Sequence, residues 1–236
     1  MADPFDRAFA ALEPRERDSL RAIAIARSYD RAEVLFHQGD DPGALHAIMR
    51  GRVKVSAITD DGREALFSLP GPGSLVGEIS ALAGRQRTAT VRALDPVRTL
   101  AIPGDALRAA VNRSNRLATF FLEIAADRLQ AADRQRVEFT GHDVLGRVAR
   151  RVYSLVQESG QPVADGIMID VFLSQEELAS WTAASREAVN RALQQLRAVG
   201  CVRSERRRMI VTDLDALRRY AGMSGPSLDG NRAGER

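Results

Sequence analysis

Gly77-Glu78-Ile79-Ser80-Ala81-Leu82-Ala83-Gly84-Arg85-Gln86-Arg87-Thr88-Ala89-Thr90 sets a carboxylate beside a glycine, then an arginine and a hydroxyl a short helical segment later. A phosphodiester is held best by backbone N–H groups at a helix start, a charge-assisted Arg contact and a hydroxyl donor. Gly77, Glu78, Ile79 and Ser80 stand at that helix start, and Arg87 and Thr88 supply the other two groups. A carboxylate repels a phosphate but accepts from a sugar hydroxyl, and Gly77 lets the backbone approach closely. One segment thus offers a partner for each polar part of a sugar phosphate. On spacing alone, a surface turn with a solvated Arg competes with this reading, because the chain carries 33 Arg and a single Lys.

The residues before it decide between the two. Val34-Leu35-Phe36-His37, Leu45-His46-Ala47-Ile48-Met49, Val53-Lys54-Val55 and Ala65-Leu66-Phe67-Ser68-Leu69 are short apolar or alternating runs separated by Gly39, Gly51 and Asp61-Gly62. Strands at such spacing with glycine turns predict a compact antiparallel barrel or roll. The segment 77–90, followed by Val91-Arg92-Ala93, resembles the phosphate-binding cassette of cyclic-nucleotide-binding domains, and Gly39, Gly51 and Gly77 fall where that family's roll places its turn glycines.

A second block, Leu173-Ser174-Gln175-Glu176-Glu177-Leu178-Ala179-Ser180-Trp181-Thr182-Ala183-Ala184-Ser185-Arg186-Glu187-Ala188-Val189-Asn190-Arg191-Ala192-Leu193-Gln194-Gln195-Leu196, predicts two helices. Ser174 with Glu177 forms a capping box, and Ser185 caps a second helix whose Val189, Leu193 and Leu196 share one face. A three-residue turn between them makes a helix-turn-helix. Arg186, Glu187, Asn190 and Arg191 lie on the opposite face, where Arg suits guanine edges and Glu a cytosine amino group. The competing reading is a solvated polar face. Gly200-Cys201-Val202-Arg203 and Met209-Ile210-Val211-Thr212 then predict two strands joined by Ser204-Glu205-Arg206-Arg207-Arg208, the wing of a winged helix. Residues 184 to 212 hold seven Arg against two Glu, whereas residues 1 to 140 hold 20 basic and 19 acidic residues. The formal excess of +3 is therefore concentrated where Arg206, Arg207 and Arg208 would meet phosphates.

This block resembles the DNA-binding helices of the cyclic-AMP receptor protein family, in which Ser-Arg-Glu-x-Val-x-Arg opens the recognition helix. The resemblance puts Arg186, Glu187 and Arg191 at the base-contacting positions and implies a TGTGA-like half-site in an inverted repeat. Ala183 stands where the family commonly has Gly; if that position is left-handed, Ala costs on the order of 1 kcal/mol.

From about Ser114 to Phe139 the chain predicts one long helix with an apolar stripe of Leu117, Phe121, Ile124, Ala125, Leu129, Ala132 and Phe139, interrupted by Arg128 and Gln135. A palindromic site needs two recognition helices about 34 Å apart, so a homodimer joined along this helix is expected. The resemblance covers nearly all of residues 20 to 220. It implies that Arg128 pairs with Glu78, and that Ala132 and Asp133 replace the Thr-Ser pair that touches adenine. The effector base is thereby open: cyclic AMP is favoured, while a carboxylate at Asp133 suits a guanine edge and Thr88 after Arg87 resembles the cassettes of cyclic-GMP-selective domains as well as those of bacterial cyclic-AMP binders; Asp133 pointing to solvent is the other reading.

The expected fold class is α+β, with these parts: an effector β-roll over 1–113, a central dimerisation helix over 114–140, a winged helix-turn-helix over 141–220 and a disordered tail over 221–236. Gly141 to Arg147 is the joint, with Asp143 as helix cap. Double-stranded DNA and a second copy are the expected partners, and RNA polymerase is the further partner such a regulator would recruit or block. No run approaches the roughly 20 apolar residues of a membrane span, and Met1 to Asp6 lacks the start of an export signal, so a bacterial cytoplasmic protein is expected. The single Cys201 neither forms an intrachain disulfide nor supplies an iron-sulfur cluster. Three other functions compete with this reading. His142-Asp143 superficially suggests a metal-dependent phosphohydrolase but lacks the further ligands such a site needs, so no enzyme activity and no metal are expected. His37 or His46 would serve a haem-sensing or other non-nucleotide version of the roll. A regulator that binds DNA without any ligand is the third.

Overall fold

The computed structural model describes residues 3–170, 173–205 and 208–223. The chain divides into two compact units at Asp133/Arg134. In the first, α1 (Pro4–Ala8) and α2 (Pro14–Ala22) precede β1 (Ile25–Tyr29), β2 (Val34–Phe36), β3 (Leu45–Arg50), β4 (Val53–Ile58), β5 (Glu64–Ser68) and β6 (Leu75–Val76). The helix α3 (Glu78–Ala83), strands β7 (Thr90–Ala93) and β8 (Val97–Ile102), and helix α4 (Gly104–Val111) follow. The strands form two antiparallel four-stranded sheets, β1-β8-β3-β6 and β2-β7-β4-β5. This is the expected roll. Its interior is lined by Ile48, Val53, Val76, Val91, Ala93 and Val97 from both sheets. A second core packs Phe5, Phe9 and Leu20 of the N-terminal segment against Leu45, Ala47 and Ile102 on the outer face of the first sheet.

Helix α5 (Asn115–Gly141) starts where Ser114 Oγ accepts from Leu117 N at 3.2 Å. The apolar stripe expected along it resolves into two faces. Leu117 and Phe121 are buried, with Phe120, in the core around Phe9, and Ile124 is half-buried against it. The outward face carries Leu122 at 70% exposure and Leu129 at 63%, spaced with Ala118, Ala125 and Ala132 at alternating steps of four and three. That is a heptad seam. Arg136 interrupts it; Arg128, expected to do so, is drawn instead toward Glu78. The 3.6-residue period brings both faces within one broad arc, so periodicity alone merged them.

In the second unit the last turns of α5 are followed by α6 (Val144–Ser159), β9 (Gly160–Val163), β10 (Gly166–Ile169), α7 (Gln175–Thr182), α8 (Arg186–Ala198), β11 (Val202–Glu205), β12 (Arg208–Val211) and α9 (Leu214–Tyr220). Asp143 caps α6 by accepting from Gly146 N at 2.8 Å. Val148, Val152 and Leu155 of α6 are buried, as are Val189, Leu193 and Leu196 of α8. The wing strands pair antiparallel from Val202↔Val211 to Glu205↔Arg208, inside a sheet of order β11-β12-β10-β9. Ser204, Glu205 and Arg208, read as connecting loop, are thus strand residues, and the hairpin β9–β10 that completes the sheet was not anticipated. Arg206 and Arg207, and all but the first three residues of the proposed tail, lie outside the described residues. Among the described residues no helix is long and apolar enough to cross a membrane.

Ala183 ends α7 at φ 46°, ψ 52°, in the left-handed region where a Cβ is penalised. Ala183→Gly is therefore expected to stabilise the second unit by about 1 kcal/mol. Urea unfolding followed by Trp181 fluorescence measures it; an unchanged or lower midpoint would mean that the turn is not strained by its methyl group.

Candidate nucleotide and DNA sites

Gly77 precedes α3 at φ 79°, and a Cβ there would lie 2.5 Å from Arg87 Nη1 and 3.2 Å from the Ala44 carbonyl oxygen. Only glycine lets Arg87 through. The Arg87 backbone is fastened to the Gly39-Asp40 turn, its N–H donating to Asp40 O at 2.9 Å and its carbonyl accepting from Gly39 N at 2.8 Å. Its side chain turns inward to 4% exposure, with Nη1 donating to Gly77 O at 2.8 Å and Nη2 to Ala44 O at 2.7 Å. The guanidinium lies 4.0 Å over the Phe36 ring. Among the described residues Nε is buried without a hydrogen-bond partner. Desolvation pulls this guanidinium's pKa down, while the charges of Asp40 and Glu78 push it up.

Glu78 is 5% exposed and accepts from Arg128 Nε at 3.2 Å, while Arg128 Nη2 donates to Leu75 O at 2.9 Å. The pairing implied by the family resemblance is present. Ser80 is buried and its Oγ donates to Gln86 O at 3.2 Å, closing the loop that carries Arg87. Ile79 and Thr88 are exposed beside these groups. Ala132 and Asp133 are exposed on α5. The structure thus gathers Gly77, Glu78, Ser80, Arg87 and Arg128, and leaves Ala132 and Asp133 on the surface of their helix. Phe36, the shelf beneath Arg87, was missed: the contact joins a strand to a loop far along the chain, and no local pattern carries it.

His46 faces the same interior. Its Nδ1 and Thr99 Oγ are 3.1 Å apart, and its ring centroid lies 5.9 Å from that of Phe36. Burial, then the charges of Arg87 and Arg27, lower its pKa from 6.5 to about 4. His37, the other histidine expected in a strand of the roll, lies just past the end of β2 and is exposed next to the Gly39 turn, its backbone N–H donating to Asp40 Oδ2 at 2.7 Å.

In the second unit both serine caps are formed. Ser174 Oγ accepts from Glu177 N at 3.1 Å, the Glu177 carboxylate accepts from Ser174 N at 2.9 Å, and Ser185 Oγ accepts from Ala188 N at 3.2 Å. The turn between α7 and α8 is the three residues 183–185. Arg186, Glu187 and Arg191 are exposed on α8. The Glu187 carboxyl is held below its ordinary range by its own backbone N–H and then by Ser185, so it is tied to the helix start. Asn190, expected to project freely, is half-buried and its Oδ1 accepts from Gln175 Nε2 at 3.4 Å. Helix α7 lies within its reach. Gln194 is exposed on the turn after Arg191 and went unread, although its i+3 and i+7 spacing to Arg191 and Glu187 marks the same face. On the wing, Arg208 pairs with Asp170 at 3.4 Å, and Arg203 with Asp165 at 3.1 Å and Glu205 at 3.3 Å. Part of the wing's charge is thereby balanced within the protein.

A roll with a buried guanidinium beside a buried carboxylate, and a capped helix-turn-helix with an exposed Arg face, define a DNA-binding regulator that carries a nucleotide-binding module. The comparisons agree. Residues 26–114 match the cyclic nucleotide-binding domain, and residues 146–220 the Crp-like helix-turn-helix domain. A CRP-like cAMP-activated global transcriptional regulator of Mycobacterium tuberculosis is 30% identical over 213 residues, covering 90% of this chain and 95% of that protein. The cyclic AMP receptor protein of Thermus thermophilus is 29% identical over 195 residues, covering 83% of this chain and 87% of its own. The structure of FixK2 from Bradyrhizobium japonicum superimposes with a TM-score of 0.76 over 87% of this chain and 100% of that one, at 18% identity. The chain belongs to the Crp family of transcriptional regulators.

Proposed function

We propose that the protein is a homodimeric regulator that binds an inverted-repeat operator when its roll holds a cyclic nucleotide. The observation that carries this reading is Arg87: a buried cation with an unsatisfied Nε–H, admitted by a glycine and set beside the Glu78 carboxylate. A buried donor without a partner costs free energy that an anionic ligand returns. In this reading Arg87 and Thr88 hold the phosphate, with the backbone of Gly77, Ile79 and Ser80 around it, Glu78 accepts from the ribose, and Arg128 reports occupancy to α5. Cyclic AMP is the favoured effector, in keeping with the two relatives named for it. The exposed seam of Leu122, Ala125, Leu129 and Ala132 supports pairing of two copies. Recognition falls to Arg186, Glu187 and Arg191, joined by Gln194, whose amide suits an adenine edge. The wing's Arg206, Arg207 and Arg208 meet phosphates.

Calorimetric titration with cyclic AMP and cyclic GMP, followed by operator affinity with each, tests the effector. Micromolar or tighter binding of one that also tightens the operator complex is expected; no heat with either would refute the nucleotide role. For the DNA face, Arg186→Ala is expected to cost about 1 to 3 kcal/mol on the selected site, mainly as lost discrimination. Equal weakening on every duplex would reassign Arg186 to backbone contact.

A further inference from the structure

The last turns of α5 are wired to the turn of the helix-turn-helix. Glu138, its side chain 17% exposed, takes Arg150 Nη1 on Oε1 at 3.4 Å and Arg151 Nη2 on Oε2 at 3.0 Å. Arg151 is itself 13% exposed, and burial lowers its pKa while Glu138 raises it. Beyond Glu138, Arg151 directs Nε at the Trp181 carbonyl oxygen, 3.4 Å away, and its guanidinium sits 5.3 Å from the Trp181 ring centroid. One turn earlier on α6, Arg147 donates from Nε to Thr182 O at 2.8 Å and from Nη1 to His142 O at 2.7 Å. Trp181 and Thr182 are the last residues of α7, fully or nearly buried, and their carbonyls are among those a helix end leaves without backbone partners. Cations placed there satisfy both the carbonyls and the negative end of the helix. The next residues are the left-handed Ala183 and the Ser185 cap from which the recognition helix starts.

From this the geometry points to Glu138 as a positioning residue: through Arg151 it sets the C-terminal end of α7, and with it the start of α8, from the end of α5. A lone surface ion pair would contribute little. Here the carboxylate is mostly buried, two cations share it, and one of those cations directs its Nε–H at α7. Removing the carboxylate leaves Arg151 half-satisfied in a desolvated place, free to swing away from Trp181. The proposal rests on the cyclic-nucleotide reading, since the same helix carries Arg128, bonded to Glu78.

The test uses the full-length protein and the ratio of operator affinities with and without saturating cyclic AMP, which measures coupling directly. Glu138→Gln and Arg151→Gln are each expected to lower that ratio roughly tenfold while cyclic AMP affinity stays within about twofold. The double variant should be no worse than either single one, because both break the same link. Arg151→Lys, which keeps the charge near Glu138 without the fork, should fall between, and guards against a variant that fails to fold. A wild-type ratio retained in all of these, with only the unfolding midpoint lowered, would make the cluster purely structural and overturn the proposal. A wild-type ratio of one would instead sink the proposed function, and the coupling role with it.

Discussion

Arg87→Ala is expected to remove calorimetrically detectable cyclic-nucleotide binding and to weaken the roll at the same time. Two effects meet at one side chain. On the proposed reading the phosphate loses the buried Arg87 cation, and truncating one member of such a buried charge-assisted contact typically costs about 2 to 5 kcal/mol, or roughly 30-fold to several thousandfold in affinity. Independently, the carbonyls of Gly77 and Ala44 lose the donors that bridge them at 2.8 and 2.7 Å, which costs about 1 to 3 kcal/mol of stability if water does not replace them. Arg87→Lys separates the two. It keeps a cation but reaches at most one carbonyl, so binding should return in part while the thermal midpoint stays low. Nucleotide affinity unchanged in Arg87→Ala would assign Arg87 to structure alone and move the phosphate elsewhere.

The second large effect is on pH dependence. His46 is buried with its pKa lowered from 6.5 to about 4, so between those values the unfolded chain takes up a proton that the folded chain refuses. Stability therefore rises with pH across this window and is lost as pH falls through it, by about 3 kcal/mol in all and roughly 2 of that between pH 7 and pH 5. His46→Gln can still bond Thr99 and does not titrate. Urea unfolding of the first unit at pH 7 and pH 5 should show a drop in the wild type that is smaller by roughly 2 kcal/mol in the variant. Equal drops in both would place the acid sensitivity on other groups. Nucleotide binding offers a consistency check, because the Arg87 charge is one cause of the lowered pKa and an anion beside Arg87 would offset it.

The heptad seam on α5 bears on assembly as well as on fold. Leu122 and Leu129 are exposed apolar side chains on its outward face, and both would be buried in a paired helix. The face that holds Leu117, Phe120 and Phe121 is already committed to the core around Phe9. A reading that assigned all these residues to one dimer seam would have overstated its apolar area.

Local rules carried much of this protein. The capping box at Ser174 and the helix caps at Ser185 and Asp143 follow from single side chains reaching N–H groups three residues on, and such contacts are legible without tertiary knowledge. The turn glycines and the buried face of Val189, Leu193 and Leu196 follow equally from chain-local sterics and the helical period. What the tertiary structure alone decided are the contacts between residues distant in sequence: Phe36 under Arg87, Asn190 held by Gln175, Asp170 taking Arg208, and Glu138 joined through Arg151 to Trp181. A charged side chain reads the same in sequence whether it meets water, a ligand or a neighbour. Only the packing of strands and helices sets which of these lies within the few ångströms over which a hydrogen bond or ion pair acts.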